Sequence, residues 1–211
     1  MSVTRVKICG ITNPEDARFA VSKGADYLGL IFAESPRQVD IARAVEIREA
    51  VPDATIVGVF LDAPLGDVVE TAHATGLNMI QLHGGESPEY CAEVQSRTST
   101  PIIKAFTASN FPDTELLALY ETTSFFLFDL RKNDLEDESL EQFHDDMWAE
   151  AAHRRSQGFR MFLGGALDAS NVRKAIERTN AFCVDACRGV ESSPGVKDHA
   201  AIEKFIAEAK S

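Results

Sequence analysis

Eight short apolar runs, each followed by an amphipathic segment, recur along the 211 residues, one unit per 211/8 or about 26 residues. The runs fall at 3–9, 27–32, 56–61, 78–82, 101–105, 125–128, 160–163 and 181–184. They are nearly continuous in apolar, β-branched or aromatic residues, the pattern of strands buried on both faces. Between them lie helix signals. Asn13-Pro14-Glu15-Asp16 supplies an N-cap, a proline for the first helical position and acid for the dipole, and Gly24 suits the far end. Ser87-Pro88-Glu89 repeats that start, and Leu65, Val68, Val69 and Ala72 fall on one helical face, as do Ile202, Phe205, Ile206 and Ala209. Residues 40–50, 113–120, 146–156 and 171–178 read as helices as well.

Strict alternation of this kind demands parallel strands joined by right-handed crossovers. Eight units predict a closed (β/α)8 barrel, a TIM barrel, in one domain spanning 1–211, compact beside the ~250 residues typical of that fold. A doubly wound open sheet competes, because periodicity cannot see closure. No Pro/Gly/Ser-rich linker divides the chain. One stretch, 131–146, is long, highly charged and without glycine, and is expected to be a loop with a functional role.

Charge limits the partners. With 21 Lys+Arg against 33 Asp+Glu the net charge is −12, a field that repels nucleic acid and anionic membrane surfaces except at a local basic patch. No apolar run approaches the ~18 residues of a membrane span, and the N-terminus runs straight into a strand pattern without a signal-peptide core. Cys9, Cys91, Cys183 and Cys187 have neither zinc-site spacing nor the density of a disulfide framework. A reduced, cytoplasmic protein is expected.

In a barrel of this kind chemistry collects at the C-terminal ends of the strands. Those ends carry Cys9-Gly10, Ser35-Pro36-Arg37, Asp62, Gln81-Leu82-His83-Gly84, Lys104-Ala105, Asp129, Gly164-Gly165 and Asp185, a polar set that structural necessity does not explain. Taken singly, each has an ordinary reading: a buried small thiol for Cys9, a strand-end cap for Asp129, a surface arginine for Arg37, a turn for Gly164-Gly165.

Taken in order, Lys7-Ile8-Cys9-Gly10-Ile11-Thr12, Ser35-Pro36-Arg37, Gln81-Leu82-His83-Gly84, Gly164-Gly165-Ala166-Leu167 with Asn171-Val172, and Val184-Asp185 through Gly189-Val190-Glu191 and Pro194-Gly195-Val196-Lys197-Asp198 resemble the phosphoribosylanthranilate isomerase family from the first strand to the last helix. That resemblance implies a (β/α)8 barrel of tryptophan biosynthesis that converts N-(5-phosphoribosyl)anthranilate to the open-chain 1-(2-carboxyphenylamino)-1-deoxyribulose 5-phosphate by an Amadori rearrangement. It implies Asp129 as general acid for ring opening and Cys9 as general base for the C2 proton. Arg37 would clamp the anthranilate carboxylate, with its planar fork suited to bidentate binding. The phosphate would rest on Gly164, Gly165 and Gly189, with Arg188 as a further partner. Gln81 and His83 would line the fourth strand's end, and Asp185 would bond ligand hydroxyls. No metal or organic cofactor is implied, and the expected partner is a small phosphorylated substrate, in a monomer or homodimer. Cys91 and Cys183 read as structural.

Two stretches depart from the family pattern. The family usually carries Gly-Gly-Thr-Gly and Phe-Asp-Trp after the acid. Here 130–144 is charged and glycine-free, and only Asp146-Met147-Trp148 echoes the end; the segment is expected to be mobile and to close on ligand. Ala186-Cys187-Arg188 stands where Val-Ser-Ser is usual, so a thiol replaces a hydroxyl. These departures keep two alternatives open: a related phosphate-binding barrel acting on another phosphoribosyl amine, and a catalytically degraded ligand-binding relative.

Overall fold

The computed structural model describes residues 4–107, 111–130 and 140–211. Eight strands, β1 (Arg5–Cys9), β2 (Tyr27–Ile31), β3 (Thr55–Phe60), β4 (Met79–Leu82), β5 (Ile102–Thr107), β6 (Phe125–Asp129), β7 (Met161–Leu163) and β8 (Cys183–Ala186), alternate with α1 (Pro14–Lys23), α2 (Ile41–Ala50), α3 (Leu65–Thr75), α4 (Pro88–Thr98), α5 (Thr114–Leu119), α6 (Leu140–Ser156), α7 (Val172–Thr179) and α8 (His199–Ala209). All eight strands are parallel to their neighbours, and β1 pairs with β8 through Lys7 opposite Asp185, so the sheet closes into a barrel and the open-sheet alternative falls.

The helix starts follow the side chains that the sequence places there. Asn13 accepts a hydrogen bond from the Asp16 N–H at 2.8 Å, and Gly24 ends α1 in the left-handed region at φ 100°. Asp40, Ser87, Asp113 and Asp198 cap α2, α4, α5 and α8 in the same way. Each cap satisfies one of the donors that a helix start leaves open, worth about 1 kcal/mol.

Alternation along the strands sorts the barrel into layers. Tyr27, Val57, Met79, Ile103, Phe125, Leu127, Phe162 and Cys183 fill the lumen as one apolar cluster, with Phe162 against Phe125 at 5.3 Å between centroids. The Arg160 guanidinium covers Phe125 at 4.8 Å and Phe182 at 4.9 Å, sealing the N-terminal mouth. Further along the inward rows stand Cys9, Ile31, Val59, Gln81, Asp129 and Asp185, which line a cavity at the other mouth. The lumen is therefore solid below and open above.

Three expectations need correction. Helix α6 begins at Leu140, so 140–146 is helical rather than loop. Phe143, Met147, Trp148 and Ala151 form its buried stripe, and His144 donates to the Gly165 carbonyl at 2.8 Å while stacking on Trp148. The charges at Glu141 and Asp146, on its exposed face, hide that stripe in the sequence. The remainder of the expected loop, 131–139, lies outside the described residues. Strand β8 runs to Ala186, so Asp185 is an inward residue within the strand. Lys104 sits within β5, on the outer face of the sheet rather than at the rim. There its Nζ donates to Glu86 at 3.0 Å and to the carbonyls of Gly84 and Ala105, so it braces the loop after β4 and cannot attract substrate.

The segment after β8 adds a feature without a strand signal in the sequence. A 3-10 turn, Arg188–Val190, leads into an antiparallel pair, β9 (Glu191–Ser193) and β10 (Val196–Lys197). The reversal falls at Pro194-Gly195, with Gly195 at φ 84°, a conformation glycine adopts without strain. Among the described residues no helix is long and apolar enough to cross a membrane.

Candidate active site

The cavity at the C-terminal mouth has a volume of about 560 Å3, within the range of small-ligand sites. It brings together Cys9, Arg37, Gln81, His83, Asp129, Gly165, Asp185, Arg188 and Gly189, which are all of the candidate residues except Gly164. The backbone N–H of Gly164 is committed to the Phe128 carbonyl at 2.8 Å, continuing the barrel ladder. A β-carbon there would stand 2.9 Å from Asp129 Oδ1. Gly164 therefore makes room for the acid side chain and has no N–H to offer an anion. At Gly189 a β-carbon would fall 2.1 Å from the Leu167 carbonyl oxygen, so the loops after β7 and β8 meet there too closely for any side chain at this position.

Cys9 ends β1, and Gly10, at φ 74°, turns the chain away from the cavity. Lys7, one inward position below, is fully buried and donates to Asp185 Oδ2 at 2.8 Å. Burial alone would lower the lysine pKa, but the Asp185 carboxylate and Cys9 outweigh it and push it up. Cys187 lines the same cavity. The neighbouring Cys187 thiol is the largest cause holding the Cys9 thiol below its ordinary value; burial opposes it, and Lys7 and Lys197 reinforce it. The Cys187 thiol is in turn pushed up by Cys9 and by burial. Asp185 is raised by burial despite Lys7.

Arg37 reaches the cavity from the loop after β2. Its Nε donates to Glu191 Oε1 at 2.8 Å and its Nη2 to Oε2 at 2.6 Å. Glu191 also accepts from Lys197 Nζ at 3.0 Å, and that ammonium donates in turn to the Cys187 carbonyl at 3.1 Å. Burial would push the Glu191 carboxyl up, but Arg37 and Lys197 hold it below its ordinary value.

Asp129 ends β6 with fewer partners. Its Oδ1 accepts the Leu130 N–H at 2.8 Å, and its Oδ2 stands 3.4 Å from His83 Nε2. His83 Nδ1 lies 2.9 Å from Gln81 Nε2; with Nδ1 accepting from the amide, the ring is neutral and carries its proton on Nε2, toward Asp129. Burial pushes the His83 pKa down, against the pull of Asp129. Gln81 Oε1 and Asp185 Oδ1 are buried acceptors without a hydrogen-bonding donor among the described residues. Such atoms are costly unless a ligand supplies the donor.

Cys91 and Cys183 are fully buried away from the cavity. Lys7, Glu191 and Lys197 fall within the family motifs, but sequence alone assigns them no role. A lysine inside an apolar strand run is a usable signal for Lys7, since a buried ammonium requires a partner. Nothing local in sequence joins Glu191 to Arg37, 154 positions away.

The family described as N-(5'-phosphoribosyl)anthranilate (PRA) isomerase matches residues 6–208. A protein named N-(5'-phosphoribosyl)anthranilate isomerase from Geobacter sp. (strain M21) is 40% identical over 210 residues, covering 99% of this chain and 98% of that one. Its counterpart in Thermotoga neapolitana is 39% identical, covering 99% of each. Among solved structures, phosphoribosyl anthranilate isomerase from Thermotoga maritima superposes with a TM-score of 0.86 at 36% identity over 98% of each chain. A further structure of such an isomerase, in complex with reduced 1-(o-carboxyphenylamino)-1-deoxyribulose 5-phosphate, gives 0.83 at 36% identity, again over 98% of each chain.

Proposed function

The chain belongs to the N-(5'-phosphoribosyl)anthranilate (PRA) isomerase family, and from that premise we propose that it carries out the Amadori rearrangement of N-(5-phosphoribosyl)anthranilate to 1-(2-carboxyphenylamino)-1-deoxyribulose 5-phosphate in tryptophan biosynthesis. One observation carries the reading on to residues: a carboxyl group, Asp129, and a thiol held below its ordinary pKa, Cys9, line the same cavity from different strands.

Asp129 protonates the ring oxygen, the C1–O bond breaks, and a Schiff base remains. Cys9, as thiolate, removes the C2 proton, and the resulting enolamine tautomerises to the aminoketose. Fixing acid and base on barrel strands holds both steps in register on one bound substrate. Glu191 occupies the Nε edge of Arg37, which leaves the two Nη1 hydrogens and one Nη2 hydrogen for the anthranilate carboxylate. Asp185 Oδ1 and Gln81 Oε1 accept from substrate hydroxyls. The phosphate rests against Gly165, Gly189 and Arg188.

The described residues that line the cavity come from one chain, and the reading is compatible with a monomer or a homodimer. A charged, phosphorylated substrate favours a cytoplasmic location, and the net charge of −12 argues against a nucleic-acid partner. The test is turnover of freshly made phosphoribosylanthranilate, followed by loss of its fluorescence. Robust wild-type turnover that collapses in Asp129→Asn supports the reaction and the acid. A folded wild-type protein with no turnover sinks the reading in favour of another phosphoribosyl amine or a ligand-binding relative.

A further inference from the structure

The loop after β7 holds two consecutive residues, Gly165 and Ala166, at positive φ, 83° and 54°. A left-handed backbone is unfavourable for alanine, whose β-carbon crowds the following carbonyl, and it persists where the surroundings hold it in place. Two side chains do so here. His144 Nε2, from the start of α6, lies 2.8 Å from the Gly165 carbonyl oxygen; a carbonyl only accepts, so this nitrogen carries the proton. Asn171 Nδ2, just before α7, donates to the Ala166 carbonyl at 3.1 Å, while its Oδ1 accepts the Asp168 N–H at 3.0 Å.

A peptide group is planar and trans, so its N–H points opposite to its carbonyl. With the Gly165 and Ala166 carbonyls drawn toward α6 and α7, the N–H groups of Ala166 and Leu167 face the other way. Gly165, Ala166 and Leu167 line the cavity, whereas His144 and Asn171 do not. Neither N–H has a hydrogen-bond acceptor among the described residues. Successive backbone N–H groups turned to one side of a loop form a concavity suited to an anion.

His144 is held firmly in its place. It is buried, and its ring stacks on Trp148 with centroids 4.8 Å apart and planes at 11°. The Arg178 guanidinium, from α7, lies 5.4 Å from the Trp148 centroid and pairs with Asp145. Helix α6 also presses on the loop itself: a β-carbon on Gly165 would stand 2.8 Å from Met147 Cε.

We infer that His144 is a positioning residue for the phosphate, holding the Gly165 carbonyl out of the cavity so that the Ala166 N–H points in as a donor. The inference deepens the isomerase reading and rests on its placement of the phosphate at this loop. It gives a task to a side chain outside the cavity, on the helix start that the sequence conceals.

The experiment measures phosphate binding, separately from turnover. Wild type, His144→Phe and His144→Gln, labelled with 15N, are titrated with inorganic phosphate and, as a phosphate-free control, with anthranilate, and assigned amides are followed by NMR. Phenylalanine keeps a ring to stack on Trp148 and loses the donor. Glutamine loses the ring and keeps an N–H donor. In the wild type the Ala166 and Leu167 amide protons move downfield as phosphate saturates the site. The phosphate Kd rises about tenfold in His144→Phe, the worth of one hydrogen bond to a charged group, and stays near the wild-type value in His144→Gln. The anthranilate Kd is the same in all three. In turnover assays KM rises in His144→Phe with kcat nearly unchanged.

A wild-type phosphate Kd in a folded His144→Phe protein overturns the proposal, and so do equal losses in the two variants or an equal loss for anthranilate. An Ala166 amide that does not move at saturating phosphate in the wild type also overturns it, and decides the matter even if the phenylalanine variant fails to fold. The expected phosphate pattern in a protein without turnover leaves the His144 brace standing and removes the isomerase reading. Turnover with unchanged phosphate affinity in His144→Phe does the reverse.

Discussion

The two sides of the cavity are built differently. Cys9 stands among paired charges: Lys7 donates to Asp185, and Glu191 accepts from both Arg37 and Lys197, which donates in turn to the Cys187 carbonyl. Asp129 has one firm bond, to the Leu130 N–H, and a long contact to His83. The difference matches the two tasks proposed for them, base for Cys9 and acid for Asp129. A thiol is weakly acidic and must be held ready as an anion by fixed donors. A carboxylic acid that gives up and regains a proton within one turnover works best where few fixed charges bind either form. The base side is preorganised, and the acid side is left free to exchange.

Removing the central group from either side should be the largest perturbation. Cys9→Ala and Asp129→Asn are each expected to lower turnover on the order of 10³-fold while tight binding of a reduced product analogue persists, measurable by calorimetry. Equal losses in binding and turnover would show that these residues act in assembly of the site rather than in proton transfer.

Next comes the buried charge beneath the base. Lys7→Met leaves Asp185 without its cation, and breaking such a pair costs about 3–5 kcal/mol, read as a lower urea midpoint with an unchanged slope. The double variant Lys7→Met/Asp185→Asn should recover part of that loss, because it removes the stranded charge. On the acid side, His83→Asn should cost less than about 1 kcal/mol, and a larger loss would break the contrast between the sides.

Glu191→Gln sharpens the comparison at the rim. It keeps the shape of the brace and removes its charge, so the Arg37 fork loosens. KM for phosphoribosylanthranilate is expected to rise about tenfold with kcat nearly unchanged, since one charge-assisted bond is worth about 1.5 kcal/mol. The smallest effect concerns pH. The Glu191 carboxyl is held below its ordinary 4.5, so its contribution to stability is present above pH 4.5 and is lost as pH falls through the lowered value. In Glu191→Gln the acid-side decline in stability should be shallower, as thermal melts between pH 3 and 6 would report.

The fold was legible in the sequence because periodicity is a local property. Eight buried runs and the caps at Asn13 and Ser87 each carry their signal within a few residues, and so do Cys9 and Asp129 at strand ends. The start of α6 was not legible: its stripe of Phe143, Met147, Trp148 and Ala151 is interleaved with acidic residues, and its register is set by His144 reaching Gly165. The same limit applies to Lys104 and Gly164, whose positions near strand ends suggested the rim. Side-chain direction alternates with every residue along a strand, so an assignment shifted by one or two residues changes which atoms meet the cavity.

The sequence by itself determined the eight-unit alternation, the polar set at one end of the strands and the residue types that acid–base chemistry requires. Only the tertiary structure decided that the sheet closes, that Lys7 is paired with Asp185 across the β1–β8 seam, that Glu191 grips Arg37, and that Lys197 ties Glu191 to the Cys187 carbonyl. The physical reason is distance along the chain: Lys7 and Asp185 are 178 positions apart, and barrel closure is the step that brings the first strand against the last. A periodic pattern encodes each strand's buried faces, but the pairing of charges across the seam depends on register, which is fixed only when all eight strands have packed around one lumen.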